Sequence, residues 1–283
     1  MAFSLHNQTI AFIGPGTMAE AMITGLLREK VALPEHIIAA GPRQQRLERL
    51  AKRHGIRTTR ENAAAAAEAD VVVLSVKPQV LPKVLPELHG KVRATALVLS
   101  IVAGATVERL GSGLGHAAIV RAMPNTPAQI GMGITVWTAS AAVSAAQRET
   151  ARGVLTALGD EIFMEDEVYL DMATALSGTG PAYVFLFMEA LVDAGVHLGF
   201  PRRVAEQLVV QTVKGSAAYY ERQQGEVHLA HLRNQVTSPG GTSASALYYL
   251  EKAGFRTAIS RAVWAAYERA LTLAQNGKPQ PPK

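Results

Sequence analysis

Two glycine turns mark where this sequence is equipped to bind and react. The first lies in Thr9-Ile-Ala-Phe-Ile13-Gly14-Pro15-Gly16-Thr17-Met18-Ala19, where a short apolar run stops at a Gly-x-Gly-x-x-Ala turn and an apolar-periodic helix starts at once. That order suits a dinucleotide pyrophosphate. Gly14 permits the tight turn, Gly16 lets backbone approach the phosphates, and Ala19 keeps helix and strand close. The helix N-terminus adds free N–H groups and a positive dipole end. The second turn, Ser238-Pro-Gly240-Gly241-Thr242-Ser243, precedes a helical stretch at 244–253. Amides exposed by its glycines form a pocket for a small anion at a helix start. The same residues equally suit a plain helix start, with Thr242 or Ser243 as the N-cap.

Two cations stand near the first turn. NAD-binding folds often place an acidic residue roughly twenty residues past the glycines, where it binds the ribose 2′-hydroxyl. This chain reads Ala39-Ala40-Gly41-Pro42-Arg43 there, with Arg43 standing 27 residues beyond Gly16. A planar guanidinium fits a 2′-phosphate, which favours NADP over NAD and leaves NADH possible as a donor; otherwise Arg43 solvates a helix start. Lys77 follows a strand end and could stabilise charge or position a nicotinamide, or simply be an exposed lysine. The scattered histidines include His228 and His231, whose spacing of three fits a solvated helix face and lacks an acidic third ligand.

Such residues need a rigid frame, and the pattern supplies one. Apolar strands read at 10–13, 37–40, 71–75, 97–101 and 118–121, with helical segments at 18–30, 44–54, 81–88 and 107–110 between them. Residues 63–67 read as a short helix, and 131–164 as a further strand, helix and strand. Strands apolar on both faces and separated by helices imply a parallel sheet covered on each side. The loops Val76-Lys77-Pro78-Gln79, Ala103-Gly104-Ala105 and Met123-Pro124-Asn125-Thr126-Pro127 leave its carboxyl end, where ligands bind on open α/β sheets. After about Leu170 the strand signal stops, and 181–199, 202–224, 243–253 and 257–276 read as long helices, with Gly254 and Gly277 as stops. The helix at 181–199 is apolar nearly all round, so it must be buried on every side, in part by a neighbouring subunit. The expected fold class is α/β, a Rossmann-type dinucleotide-binding domain at 1–167 followed by an all-α dimerisation domain at 168–283, with a frayed tail at 278–283.

Composition narrows the function classes. Among 283 residues, 48% are hydrophobic and 18% charged, which fits globular domains with real cores. No cysteine is present, which rules out disulfides, thiolate zinc sites and cysteine nucleophiles. The net charge of +5 is spread along the chain without a basic block, so an anionic cofactor and substrate fit better than nucleic acid. No basic-then-apolar leader precedes Thr9, and the apolar run at 182–188 is short for a bilayer, so the expectation is a cytoplasmic protein without a membrane span.

Five segments together resemble the pyrroline-5-carboxylate reductase family: Phe12-Ile-Gly-Pro-Gly-Thr-Met-Ala19, Val76-Lys-Pro78, Arg121-Ala-Met-Pro-Asn-Thr-Pro127, Leu176-Ser-Gly-Thr-Gly-Pro-Ala-Tyr183 and Val236-Thr-Ser-Pro-Gly-Gly-Thr242. The resemblance implies reduction of a cyclic imine, 1-pyrroline-5-carboxylate, to L-proline by a nicotinamide, in a homodimer or a pentamer of dimers. It implies cofactor contacts at Ile13, Gly14, Pro15, Gly16, Thr17, Met18, Gly41, Arg43, Asn62, Val76, Lys77 and Pro78, with Ala103, Gly104, Met123, Pro124 and Asn125 near the nicotinamide. It implies substrate contacts at Glu167, Ser238, Gly240, Gly241, Thr242 and Ser243. Ser243 stands where the family often has Thr and keeps the hydroxyl, which could hydrogen-bond the ring nitrogen and relay a proton from water. With Lys77 it is a candidate catalytic residue, in a site dominated by positioning. Before the second turn the chain reads Glu226-Val-His228-Leu229 where the family shows Glu-His-Pro, so Glu226 and His228 receive no role.

Two other readings compete. A β-hydroxy-acid dehydrogenase would need a lysine base among the helices, and Lys214 lacks the expected neighbours. A regulatory protein that senses NADP without turnover would leave the second glycine turn without a purpose.

Overall fold

The computed structural model describes residues 4–223 and 225–276. Every residue is buried in the strands β1 (Ile10–Ile13), β2 (Ile37–Ala40), β4 (Val71–Leu74) and β5 (Leu97–Ser100). Alternate side chains feed two cores. Phe12, Ala39, Val73 and Leu99 enter one, and Ile13, Ala40, Leu74 and Val98 the other. Helices α1 (Thr17–Arg28), α2 (Gln44–His54), α3 (Asn62–Glu68), α4 (Leu81–Leu88), α5 (Val107–Leu114) and α6 (Ala145–Thr156) alternate with the strands. The buried residues Met22, Leu26 and Leu50 pack on the first core, and Leu81, Leu88 and Leu110 on the second. Both faces of the sheet are therefore covered, as the continuous apolar strands require.

The sheet has eight strands in the order β3 (Arg57–Thr59), β2, β1, β4, β5, β6 (Ile119–Met123), β7 (Gly133–Ala139) and β8 (Gly159–Phe163). β1 pairs in parallel with both β2 and β4, so the winding reverses between β1 and β4. The run from β3 to β6 is parallel, as the strand pattern predicts. β7 departs from it and pairs antiparallel with β6. A parallel crossover needs a dozen or more residues. The link from Met123 to Gly133 is shorter and holds only a 3-10 turn at Thr126–Ile130. α6 then carries the chain back to β8, which pairs in parallel with β7. β3 is absent from the sequence expectation because Arg-Thr-Thr at a sheet edge has no apolar signature.

Beyond the sheet the chain is helical: α7 (Val168–Ala173), a π-helical turn at Thr174–Gly178, α8 (Gly180–His197), α9 (Arg202–Glu221), α10 (Leu229–Gln235), α11 (Thr242–Lys252) and α12 (Phe255–Asn276). Pro181 is the second residue of α8, whereas the sequence pattern makes it the first. Gly254, left-handed at φ +73°, separates α11 from α12 as expected. Gly277, the tail at 278–283 and Gln224 lie outside the described residues. Contacts divide the chain into one compact unit of Met1–Thr179 with Ala265–Lys283 and another of Gly180–Trp264.

In α8 the expectation of burial on all sides is not met within one chain. Phe185 is 63% and Leu186 67% exposed, and Val192 is the helix's buried residue. The helical stretch Val168–His197 is, by length and composition, apolar enough to cross a membrane. The apolar run at 182–188 counts only part of it, since helix continues on both sides.

Candidate active site

β1 and β4 end side by side where the winding reverses, the place at which open α/β sheets bind ligands. A cleft of about 310 Å³ opens there, lined by Gly14, Pro15, Gly16, Gly41, Pro42, Arg43, Arg46, Ser75, Val76, Lys77 and Val80. The structure thus brings together Gly14, Pro15, Gly16, Gly41, Arg43, Val76 and Lys77, which the sequence spreads from position 14 to position 77. Gly14 has φ +86°, and a Cβ there would lie 2.4 Å from Val76 Cγ1, so neither conformation nor space admits a side chain. A Cβ on Gly16 would meet only the Gly14 carbonyl oxygen, at 3.9 Å. The room over Gly16 is therefore open. Gly16 is also the N-cap of α1 and makes no side-chain cap, which leaves first-turn N–H groups for an anion. These features fit a dinucleotide pyrophosphate.

Arg43 is the N-cap of α2 and is exposed. A cation at a helix N-terminus opposes the dipole, and the first turn of α2 carries no acid to offset it. Arg43, Gln44, Gln45, Arg46 and Arg49 line a second, shallow cleft of about 440 Å³ beside the first. A phosphate bound there would satisfy both the helix terminus and the exposed Arg43 guanidinium.

Arg46, which sequence reasoning missed, joins the two clefts. Its Nε donates to the Pro15 carbonyl at 2.9 Å and its Nη2 to the Gly16 carbonyl at 3.0 Å. The same Nη2 lies 2.7 Å from Glu20 Oε2. Burial alone would raise the Glu20 carboxyl, but Arg46, His54 and Arg53 together hold it below the usual carboxylate range. Ser75, also missed, donates from its hydroxyl to the carbonyls of Ile13 and Gly14, 3.0 Å each. Helical spacing places Arg46 one turn after Arg43, a signal that could have flagged it.

Other expected residues lie outside the lining of the first cleft. The Ile13 side chain is fully buried, so it can offer only backbone, while Thr17 is exposed and Met18 packs on the first core. Asn62 is buried, donates from Nδ2 to Glu87 Oε2 at 3.0 Å, and has an Oδ1 without a hydrogen-bond partner. That orphaned acceptor would suit a hydroxyl donor. Pro78 is half-buried, while Ala103 and Gly104 form a turn after β5. Met123 ends β6, and Pro124 beside it is buried. The Asn125 side chain is committed within the protein. It donates to the Ser177 carbonyl in the π-helical turn at 3.2 Å and accepts from Ile134 N at 3.1 Å.

Glu167 is likewise engaged. Its Oε1 accepts from Val107 N at 2.8 Å and from Arg121 Nη1 at 2.9 Å. Arg121, with a side chain 3% exposed, also pairs with Asp171 at 2.6 Å. The triad ties β6, the start of α5 and α7 together.

The second glycine turn belongs to the unit Gly180–Trp264. Gly240 has φ +69°, and Gly241 N donates to the Ser238 carbonyl at 3.0 Å. A Cβ on Gly241 would stand 2.6 Å from Ser238 Oγ. The N-cap of α11 is Gly241, without a side-chain cap. Neither Thr242 nor Ser243 takes the capping place the sequence allowed them, because the helix starts a residue or two earlier. The N–H groups of Thr242 and Ser243 are thus first-turn donors at an uncapped helix start. His228 does cap a helix, accepting from Ala230 N through Nδ1 at the start of α10.

A doubly wound sheet with an open glycine turn at its reversal, followed by helices with bare apolar faces, defines an oxidoreductase of the dinucleotide-binding class. The family model for pyrroline-5-carboxylate reductase dimerisation matches residues 167–273, and the model for NADP oxidoreductase, coenzyme F420-dependent, matches 9–104. The chain belongs to the pyrroline-5-carboxylate reductase family. The reductase of Synechocystis sp. is 42% identical over 94% of this chain and 98% of its own. That of Pseudomonas aeruginosa is 41% identical over 96% and 98%. The crystal structure of Plasmodium falciparum pyrroline carboxylate reductase with NADP bound superposes with a TM-score of 0.88, at 30% identity, covering 96% of this chain and 100% of that one. The dimerisation match spans α8, so the exposed Phe185 and Leu186 fall within the region matched to that model.

Proposed function

We propose that this chain is the cytoplasmic enzyme that reduces 1-pyrroline-5-carboxylate to L-proline, the last step of proline biosynthesis, with NADPH preferred and NADH accepted. The observation that supports this most is the pairing of two uncapped, glycine-opened helix starts in one family-matched chain, one suited to a pyrophosphate and one to a small carboxylate. In this reading residues 1–167 bind the dinucleotide, and residues 168–283 bind substrate and dimerise; the assembly is a homodimer or a pentamer of dimers.

Bound NADPH supplies the hydride. The first-turn N–H groups of α1, from Thr17 and Met18, hold its pyrophosphate beside Gly14 and Gly16, Arg43 takes the 2′-phosphate, and Asn62 offers its free Oδ1 to a ribose hydroxyl. Pro15, Thr17, Gly41, Val76 and Pro78 shape that side of the site. The loops at Ala103-Gly104 and Met123-Pro124-Asn125 face the nicotinamide. Thr242 and Ser243 receive the substrate carboxylate on first-turn N–H groups, Gly240 and Gly241 leave room for it, and Ser238, whose carbonyl holds Gly241 N, fixes the turn. The Ser243 hydroxyl hydrogen-bonds the ring nitrogen and relays a proton from water to it. Protonation makes the imine carbon a far better acceptor, and positioning supplies most of the acceleration. Lys77 keeps the nicotinamide end of the cleft positive. Glu167 contributes position, through Arg121 and the start of α5, to the walls around the substrate.

Imine-dependent oxidation of each nicotinamide by purified protein tests the proposal. The expected result is turnover with both and a higher kcat/KM for NADPH; no rate above background with either would reject it.

A further inference from the structure

All three carbonyls of the turn Gly14-Pro15-Gly16 are already spoken for. Gly14 O accepts from Gly16 N at 2.7 Å and from Ser75 Oγ at 3.0 Å. Pro15 O accepts from Arg46 Nε at 2.9 Å. Gly16 O accepts from Glu20 N at 3.0 Å and from Arg46 Nη2 at 3.0 Å. A carbonyl oxygen aimed at a pyrophosphate would repel it, so the direction of these peptide planes decides whether the turn presents N–H groups or oxygens. Pro15 has no N–H and Gly16 N is spent on Gly14 O, so the donors left for an anion are those of Thr17 and the residues after it, while the Pro15 carbonyl takes its partner from outside the turn, in Arg46.

We infer that Arg46 is a positioning residue for the cofactor: its guanidinium clamps the Pro15 and Gly16 carbonyls, keeping both oxygens turned from the dinucleotide and the first-turn N–H groups of α1 open to it. Arg46 is suited to this task. The fork geometry of a guanidinium serves two acceptors at once, and charge assistance strengthens both bonds. Its side chain is only 12% exposed, and Glu20, itself 16% exposed, holds it at 2.7 Å. That carboxylate serves as an anchor. Without it the guanidinium would be drawn towards any bound phosphate and would release the carbonyls. His54 Nε2, 3.4 Å from Glu20 Oε1, and Arg53 Nη1, at 3.1 Å, complete the anchor from the last turn of α2. Arg43 and Arg46 thereby divide two tasks along one helix. Arg43 discriminates between dinucleotides, and Arg46 serves the pyrophosphate that all of them share.

The inference rests on the cofactor site proposed above, and the test separates the two. KM and kcat for NADPH and NADH, with tryptophan fluorescence titration for Kd, are measured in Arg46→Met, Arg46→Lys, Glu20→Gln and Arg53→Met. Arg46→Met should raise KM and Kd for both nicotinamides by about tenfold, with their ratio and kcat within about twofold of wild type. Arg46→Lys should recover part of the loss, since an ammonium can serve one carbonyl well but not both. Glu20→Gln should show a smaller rise of the same unselective kind. Arg53→Met, which weakens the anchor without touching the turn, should show a rise no larger than that of Glu20→Gln and equally unselective. A loss confined to NADPH would make Arg46 a reader of the 2′-phosphate and overturn the assignment, as would unchanged binding in Arg46→Met. Should that variant fail to fold, Arg46→Lys and Glu20→Gln decide by the same criteria. Failure of the wild type to bind either nicotinamide would instead remove the cofactor site itself.

Discussion

In the proposed function Arg43 and Gly241 carry the two specificities, for donor and for acceptor, and each should be removable without the other. Replacing Arg43 with Glu puts a carboxylate where a 2′-phosphate is proposed to sit. KM for NADPH should rise by at least about tenfold, the worth of one charge-assisted pair, and that for NADH should change much less. Steady-state kinetics with both donors check this, and equal effects would remove Arg43 from phosphate binding. Gly241→Val forces a side chain into the 2.6 Å gap before Ser238 Oγ. Turnover should be lost while the Kd for NADPH stays near normal; loss of both would mark the turn as structural. These two residues were legible in the sequence, since glycine spacing and the missing acidic residue after the second strand are both visible in one dimension. Arg46 and Ser75 were not. Their work is done on backbone carbonyls of a distant turn, and no motif records which side chain a fold will bring there.

Between elements, charge holds what apolar packing does not. Arg46, Arg53 and His54 of α2 meet Glu20 of α1, whose carboxyl is held below its ordinary value of 4.5. A carboxyl with a lowered folded-state pKa contributes its full stabilisation above the unfolded value and loses it as pH falls through the folded one. Urea unfolding of wild type and Glu20→Gln should therefore differ by a constant amount above pH 4.5 and converge at more acid pH. A gap that persists undiminished into acid would contradict the assignment. The Arg121 triad makes a stronger claim, because its guanidinium is 3% exposed and serves both Glu167 and Asp171. Arg121→Met leaves Asp171 buried without its partner and should cost about 3–5 kcal/mol in chemical denaturation. A loss under about 1 kcal/mol would mean that water reaches the carboxylates. Most helices and parallel strands were legible to within a few residues from their apolar periodicity. The edge strand β3 is too short and polar to show one. The antiparallel turn into β7 follows from a loop length whose meaning appears only once β6 is placed.

At the scale of the whole molecule, the Rossmann-type half closes its own core, whereas the helical half leaves apolar side chains bare. Phe185 and Leu186 stand 63% and 67% exposed on α8, inside the region matched to the dimerisation family. The all-round apolar character of that helix made a partner subunit readable from sequence; which residues it covers was not. Leu186→Glu should convert the proposed dimer to monomer or aggregate in size-exclusion chromatography with light scattering. A variant that elutes unchanged would place the interface elsewhere.

The reaction of this family is hydride transfer from a nicotinamide to the carbon of a cyclic imine. Turnover with NADPH deuterated at the transferable position of its nicotinamide C4, followed by mass spectrometry and NMR of the product, follows that hydride. One deuterium per proline is expected, on the ring carbon that carried the C=N bond and lies remote from the carboxylate. Proline free of deuterium, or no proline while NADPH is consumed, would rule that transfer out.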